Sequence, residues 1–181
     1  MLYLSPAITV YFCVLAALLG ACVGSFLNCM AWRIVHGEPI TKGRSHCDAC
    51  GHVLSAADLV PVVSFLAHRG KCRYCGAKLS KRHLWGEILS ALTFVALLLK
   101  YDISLQTLEY LLFASLLLGC AFADLEGYMI PDRFILAGII FRIPFFFLLP
   151  DWKGQVLDAA IGGFAIGGGL LLIVLGYEKI R

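Results

Sequence analysis

The sequence predicts an all-α polytopic membrane protein with a small cysteine-rich domain set between its first two apolar helices. Three observations predict it. The 181 residues are 60% hydrophobic and 15% charged, with a mean hydropathy of +0.85. Soluble domains are about 45–50% apolar and about 25% charged. The apolar excess also falls in long runs, and a helix of ~20 mostly apolar residues crosses a bilayer. Finally, residues 32–84 break the pattern and hold most of the basic residues.

Five runs reach or approach spanning length, so the chain should contain about five transmembrane helices. They are Thr9–Met30, Trp85–Tyr101, Leu105–Ala123, Phe134–Leu149 and Val156–Leu175. No basic residue precedes Arg33, which argues against a cleavable secretory leader and keeps the first helix in the mature protein. Nine of the fifteen Lys and Arg lie between Arg33 and Arg82. Arg133, Lys179 and Arg181 fall on the same side if all five helices span, and only Lys100 and Lys153 lie opposite. The positive-inside rule then puts the N-terminus outside and residues 32–84 in the cytoplasm. This basic excess sets topology and is no nucleic-acid footprint.

In the first helix, Gly20 and Gly24 are four apart, a spacing that lets helices approach closely in lipid. Asn28 is polar for its depth and calls for a hydrogen-bonding partner. Cys13, Cys22 and Cys29 read as small apolar residues.

The domain between residues 32 and 84 holds Cys47-Asp48-Ala49-Cys50-Gly51 and, after 21 intervening residues, Cys72-Arg73-Tyr74-Cys75-Gly76. A two-residue spacer lets both sulfurs of a knuckle reach one metal, and the glycine permits the turn that follows. The pattern therefore predicts a small cytoplasmic zinc-binding domain with Cys47, Cys50, Cys72 and Cys75 as ligands. Two disulfides are the rival reading, which conflicts with a reducing cytoplasm. His46 and His52 stand as neighbours rather than ligands. The insert Leu59–Leu66 is too short to span and should pack on the domain or on the membrane surface. Glu87 enters the second helix at the bilayer edge, either as a functional group or as an ion-pair partner of Arg82.

Between the third and fourth helices lies Asp124-Leu125-Glu126-Gly127-Tyr128-Met129-Ile130-Pro131-Asp132. Carboxylates at a membrane edge are costly to desolvate and commonly face protein or a water-filled cavity. The plainer reading is a solvated turn, with Gly127 and Pro131 breaking the helix. Asp132 starts a helix, where the dipole favours a carboxylate, whereas Asp124 ends one, where the dipole opposes it. Arg142, deep in the fourth helix, implies a kink, a partner carboxylate or a water pocket. In the fifth, Gly163-x-x-x-Gly167 reads as a close-packing face.

Taken together, Gly24-Ser25-Phe26-Leu27-Asn28, the two knuckles, Leu59–Phe65, Arg73-Tyr74, Glu87, Asp124-Leu125-Glu126 and Ile130-Pro131-Asp132 resemble the type IV prepilin peptidases. These are the prepilin leader peptidase/N-methyltransferases, membrane aspartic proteases of type IV pilus and type II secretion systems. The resemblance runs over nearly the whole chain. It implies an endopeptidase of the bacterial inner membrane that removes the basic leader of prepilins and pseudopilins at the cytoplasmic face. It also implies N-methylation of the new N-terminus with S-adenosylmethionine, and zinc as a structural metal.

In the family motif D-x(6)-P-D, Asp124 corresponds to a catalytic aspartate and Asp132 to the second, supporting acid. Gly24, Ser25, Asn28 and Glu87 carry over as candidates for substrate or methyl-donor contacts. The family's other catalytic aspartate lies in a G-x-G-D motif after the last helix named above, and the residues up to Arg181 contain none. Asp158 lies at the wrong end of its helix. The expectation is therefore a fragment or a natural copy without half of its dyad. The organisation expected is a first transmembrane helix (1–31), a cytoplasmic four-cysteine zinc-binding domain (32–84) and a C-terminally incomplete peptidase domain of four helices (85–181). A catalytically dead fragment, or a membrane adaptor using its zinc module for binding, is the alternative function.

Overall fold

A computed structural model of the protein describes residues 5–40, 43–47, 49–148, 152–169, 172 and 175. Helices dominate, and among the described residues extended pairing is limited to two isolated bridges, His46 with Val53 and Lys71 with Lys78. Helix α1 spans Pro6–Val35, with Pro6 at its first position after the extended Ser5. Proline suits that place because its missing N–H would have no partner there anyway. Thirty residues make a rod of about 45 Å, longer than the ~30 Å hydrocarbon core. The last turns of α1 can thus stand clear of the bilayer.

The cysteine-rich segment that follows contains one short helix, α2 (Val63–Ala67). Helix α3 (Lys81–Tyr101) is capped by Ser80, and α4 (Leu105–Gly127) by Ser104, each hydroxyl accepting a first-turn backbone N–H. With α1, they are the three described helices long and apolar enough to cross a membrane. Helix α5 covers Asp132–Leu148 and contains Pro144. Helix α6 (Trp152–Gly162) continues into a π-helical turn at Gly163–Gly167. Helix α5 covers the fourth expected span as far as residue 148, α6 and its π-helical turn cover the fifth as far as Gly167, and most of 170–181 lies outside the described residues.

Contacts divide the chain into two units, residues 1–139 and 140–181. In the first, α1 packs on α3 and α4, and α3 packs on α4. The α1–α3 contact follows from missing side chains. A Cβ at Gly20 would lie 2.7 Å from the Ser90 carbonyl oxygen, and one at Gly24 would lie 2.5 Å from Ser90 Oγ. Small residues let these backbones approach, as the Gly20/Gly24 spacing predicts. Ser90 is fully buried and its hydroxyl donates to the Gly86 carbonyl, which keeps the seam free of an unpaired polar group.

Leu27, Ala31, Phe122, Ala123 and Phe134 form the core where α1, α4 and the start of α5 converge. Val10, Leu18, Leu19 and Phe26 of α1 point outward, each more than half exposed. A small, polar-tolerant inner face with an apolar outer face suits a helix solvated by lipid.

In the second unit, the Arg142 guanidinium lies 4.7 Å from the centre of the Phe146 ring. No described atom comes within 4 Å of a Cβ built at Gly163 or Gly167. The close packing expected of that pair has no counterpart among the described residues.

Candidate functional site

The four predicted cysteines come together. Their sulfur atoms all lie within 4.8 Å of one another, with Cys47 and Cys75 Sγ 3.9 Å apart. Tetrahedral zinc–thiolate bonds of about 2.3 Å would set the sulfurs about 3.8 Å apart, so the cluster fits a metal after slight contraction.

The two halves are built alike, offset by 25 residues. Cys47 and Cys72 donate their N–H groups to His52 and Ala77, and accept from Gly51 and Gly76. Both glycines have positive φ, 68° and 71°, with no described atom within 4 Å of a built Cβ. Each is required by its backbone angle, not by crowding. Leu54 closes the first knuckle onto Ser45, and Leu79 closes the second onto Gly70.

Electrostatics prepare the centre unevenly. The backbone N–H groups of Cys75 and Tyr74 hold the Cys72 thiol down at about 7. At Cys75 the Ala77 amide pulls the other way, but burial and the neighbouring cysteines outweigh it and hold that thiol at about 11. Neither histidine joins the cluster. His52 lies against the Tyr74 ring at 3.7 Å between centroids, and His46 meets Trp32 edge-on at 6.2 Å.

The insert Leu59–Leu66 touches the domain through Phe65 while Leu59, Val60, Val63 and Leu66 stay exposed. A 3-10 turn (Ala56–Leu59) is closed by a capping box between Ser55 and Asp58, and α2 follows. Between them Val63 N–H reaches the Pro61 carbonyl at 2.6 Å, with Val62 at φ 61° and ψ −49°. That is a strained γ-turn, rare for a β-branched residue. Its Val62 N–H donates to Glu87 Oε2 at 2.6 Å, and Glu87 is 8% exposed. Phe65 fills the space over Gly70.

Arg82 pairs with Glu126, not with Glu87. Its other nitrogen donates to the Leu125 carbonyl at 3.1 Å. One guanidinium at the start of α3 therefore grips the two residues that follow Asp124. Asp124 and Asp132 are both exposed. Helix α4 ends when Tyr128 turns left-handed and donates its N–H to the Asp124 carbonyl.

The four candidates near the membrane edge separate into two groups. Gly24 and Asn28 face the α1–α3 seam, where Asn28 donates to the Gly24 carbonyl and is buried against Gly86. Ser25 and Glu87 instead line a cavity of about 450 Å³ between α1, the knuckles and the start of α3. Asp58, which no motif or spacing singles out, lines it too. Burial of its side chain to 6% exposure depends on loops closing from residues 55, 68, 73 and 74, and no local pattern signals that.

Three helices long and apolar enough to cross a membrane, a four-cysteine cluster that could hold a metal ion and an acidic turn define the class: a helical protein of the membrane-spanning type. Residues 18–101 match the bacterial Peptidase A24 N-terminal domain. The prepilin leader peptidase/N-methyltransferase of Myxococcus xanthus is 35% identical over 83% of this chain and 46% of its own length. That of Bacillus subtilis is 34% identical over 79% of this chain and 58% of its own. The type 4 prepilin-like proteins leader peptide-processing enzyme of Escherichia coli is 31% identical over 85% and 63%. The chain is thus similar to the prepilin leader peptidase/N-methyltransferases over most of its length. It spans about half the length of the curated relatives it matches. No solved structure matches it.

Proposed function

We propose that this protein takes part in processing prepilins and pseudopilins as a membrane aspartic endopeptidase of the bacterial inner membrane, cutting the basic leader at the cytoplasmic face. Asp124 is one carboxylate of the dyad, and Asp132 supports the turn. In such a pair one carboxylate acts as base toward water while its protonated partner polarises the scissile carbonyl, a division one acid cannot supply alone. The observation that carries the reading is the anchoring of the acidic turn. Arg82 ties the Leu125 carbonyl and the Glu126 carboxylate to the base of α3, beside the domain shared with the relatives.

Cys47, Cys50, Cys72 and Cys75 hold structural zinc, and residues 32–84 form a cytoplasmic module between the first helix and the peptidase helices of 85–181. The N-terminus lies outside. N-methylation of the trimmed N-terminus, drawing its methyl group from S-adenosylmethionine, is the companion activity, and Ser25 and Glu87 contact substrate or donor.

The test is direct. Membranes from the native host, with and without its gene for this protein, are incubated with the host's prepilin, and the product is read by mass spectrometry. Loss of leader removal and of the added methyl group on deletion is expected. Full processing without the gene, combined with co-purification of intact prepilin, would point to a membrane adaptor instead.

A further inference from the structure

We propose that residues 59–66 form a lipid-binding foot: the side chains of Val60, Val63 and Leu66 enter the headgroup edge of an anionic bilayer and seat the cysteine-rich domain on it. This rests on the reading of α1 and α3 as membrane helices.

The foot has two faces. Pro61, Ser64 and Phe65 line the cavity between α1, the knuckles and the start of α3. Val60, Val63 and Leu66 take no part in that lining and are 45%, 61% and 63% exposed. Aliphatic side chains exposed singly need no explanation, but several held out of one short stretch mark a contact surface.

Depth decides what meets that surface. The Val62 N–H donates to Glu87 Oε2 at 2.6 Å, which fastens the stretch to the second turn of α3. At this level α3 already turns apolar side chains outward, since Trp85 and Leu89 are both more than half exposed. Tryptophan is enriched at the headgroup level of a membrane. Helix α1 gives the same level independently. Gly24 crosses α3 against Gly86 and Ser90. Cys22 and Phe26, on either side of it in sequence, line the same cavity as Pro61 and Phe65. Phe26 is exposed and precedes Arg33, the first basic residue, by about 10 Å along the helix axis. Two helices thus hold the stretch at a depth where both present apolar side chains to lipid.

Charge selects the lipid. Between Leu59 and Gly86, Lys and Arg occur at positions 69, 71, 73, 78, 81 and 82, and Asp and Glu are absent. Arg82 pairs with Glu126, and Arg73 lies 4.0 Å from Asp58. Arg69, Lys71, Lys78 and Lys81 are exposed. Basic clusters next to a membrane helix are drawn to anionic headgroups, and aliphatic side chains beside such a cluster make an interfacial segment. A second copy of this chain would bring the same positive charge to the contact, which opposes pairing of the two. Lipid is therefore the occupant that fits both the apolar side chains and their rim. Seated this way, the domain is restrained against the membrane by a third attachment besides its joins to α1 and α3.

The test places a nitroxide on a ketone-bearing amino acid at position 63 of the full zinc-loaded chain, in liposomes of phosphatidylglycerol and phosphatidylcholine. Electron paramagnetic resonance compares collisions with oxygen, which concentrates in lipid, and with a nickel chelate, which stays in water. Labels at Leu92, exposed on α3, and at His36, just past the end of α1, set the lipid and water limits. The oxygen-to-nickel ratio at 63 should exceed that at 36 several-fold, and should fall when phosphatidylglycerol is left out. Val60→Asp together with Leu66→Asp should return it to the value at 36. Zinc content shows which proteins are folded. If the label at 63 fails there, a label at 66 takes its place, with Val60→Asp and Val63→Asp as the paired change. A ratio equal to that at 36 overturns the foot. Shielding from both reagents overturns it too, because a protein partner or a second copy then covers the surface. A ratio unchanged without phosphatidylglycerol overturns the part assigned to the basic residues. A label at 92 that meets the nickel chelate as freely as one at 36 overturns the membrane reading of α3 itself.

Discussion

The carboxylate of Glu87, buried at the start of α3, accepts the backbone N–H of Val62 across 25 residues of sequence. It thereby holds a γ-turn that valine does not adopt on its own. Glu87→Ala should leave that N–H without its partner and destabilise the protein by about 1–3 kcal/mol. Glu87→Gln keeps a carbonyl acceptor and should lose less. Thermal unfolding of the three proteins in the same detergent measures the difference. Equal melting temperatures for all three would mean that the contact contributes nothing.

Metal binding should release protons in a pH-dependent way. Zinc takes cysteine as thiolate. Cys75, held at about 11, is protonated throughout the neutral range and must give up its proton. Cys72, near 7, is largely thiolate at pH 8 and largely thiol at pH 6. Zinc affinity should therefore fall as pH drops through 7, with more protons released at pH 6 than at pH 8. Calorimetry in buffers of different ionisation enthalpy counts them. Proton release that does not change over this interval would contradict the arrangement of the two thiols. Replacing any one of the four cysteines by serine should cost most of the bound zinc, read by elemental analysis.

Much of this was legible in the sequence because it is local. The C-x-x-C-G spacing fixes each knuckle within a few residues, and the run lengths give α1, α3 and α4. Gly20 and Gly24 announced a close contact on one face of one helix. The partner of Arg82 was not legible. Arg82 and Glu87 are five apart, a spacing that does not bring them together on one face of a helix, and the actual acid, Glu126, arrives from the end of α4. Asp58 was equally silent, since its burial needs contributions from Ser55, His68, Arg73 and Tyr74. Residues 59–66 showed only that they are too short to span; the γ-turn depends on Glu87.

Glycine substitutions should separate packed from open helix surfaces. At Gly20 a methyl group would meet backbone of α3, 2.7 Å from the Ser90 oxygen and 2.9 Å from Ala91 Cα. Neither atom can swing aside, so Gly20→Ala must push the helices apart, at about 1–3 kcal/mol by analogy with overpacked cores. Gly162 is helical, with no described atom within 4 Å of a Cβ built there. Gly162→Ala should be neutral or stabilising by up to ~1 kcal/mol from helix propensity. Melting temperatures shifting equally at both positions would refute the close α1–α3 approach.

In the acidic turn the two aspartates meet opposite local fields. Asp124 lies at the C-terminal end of α4, where the helix dipole disfavours a carboxylate, while Asp132 begins α5, where it is favoured. Asp132 thus has a structural reason to be acidic, and Asp124 has a local electrostatic reason not to be. A group kept against its local field is the better candidate for chemistry. With Asp124→Asn in the host's chromosomal gene, prepilin should retain its leader, although the protein remains folded and zinc-loaded. Asp132→Asn should reduce processing only in part. Arg82→Ala frees the Leu125 carbonyl and Glu126 while leaving both aspartates in place, and should lower processing without lowering zinc content. Immunoblots that resolve prepilin from mature pilin report all three. Normal processing by the Asp124→Asn strain would remove Asp124 from the active site, and an Asp132→Asn strain more impaired than Asp124→Asn would reverse the two roles.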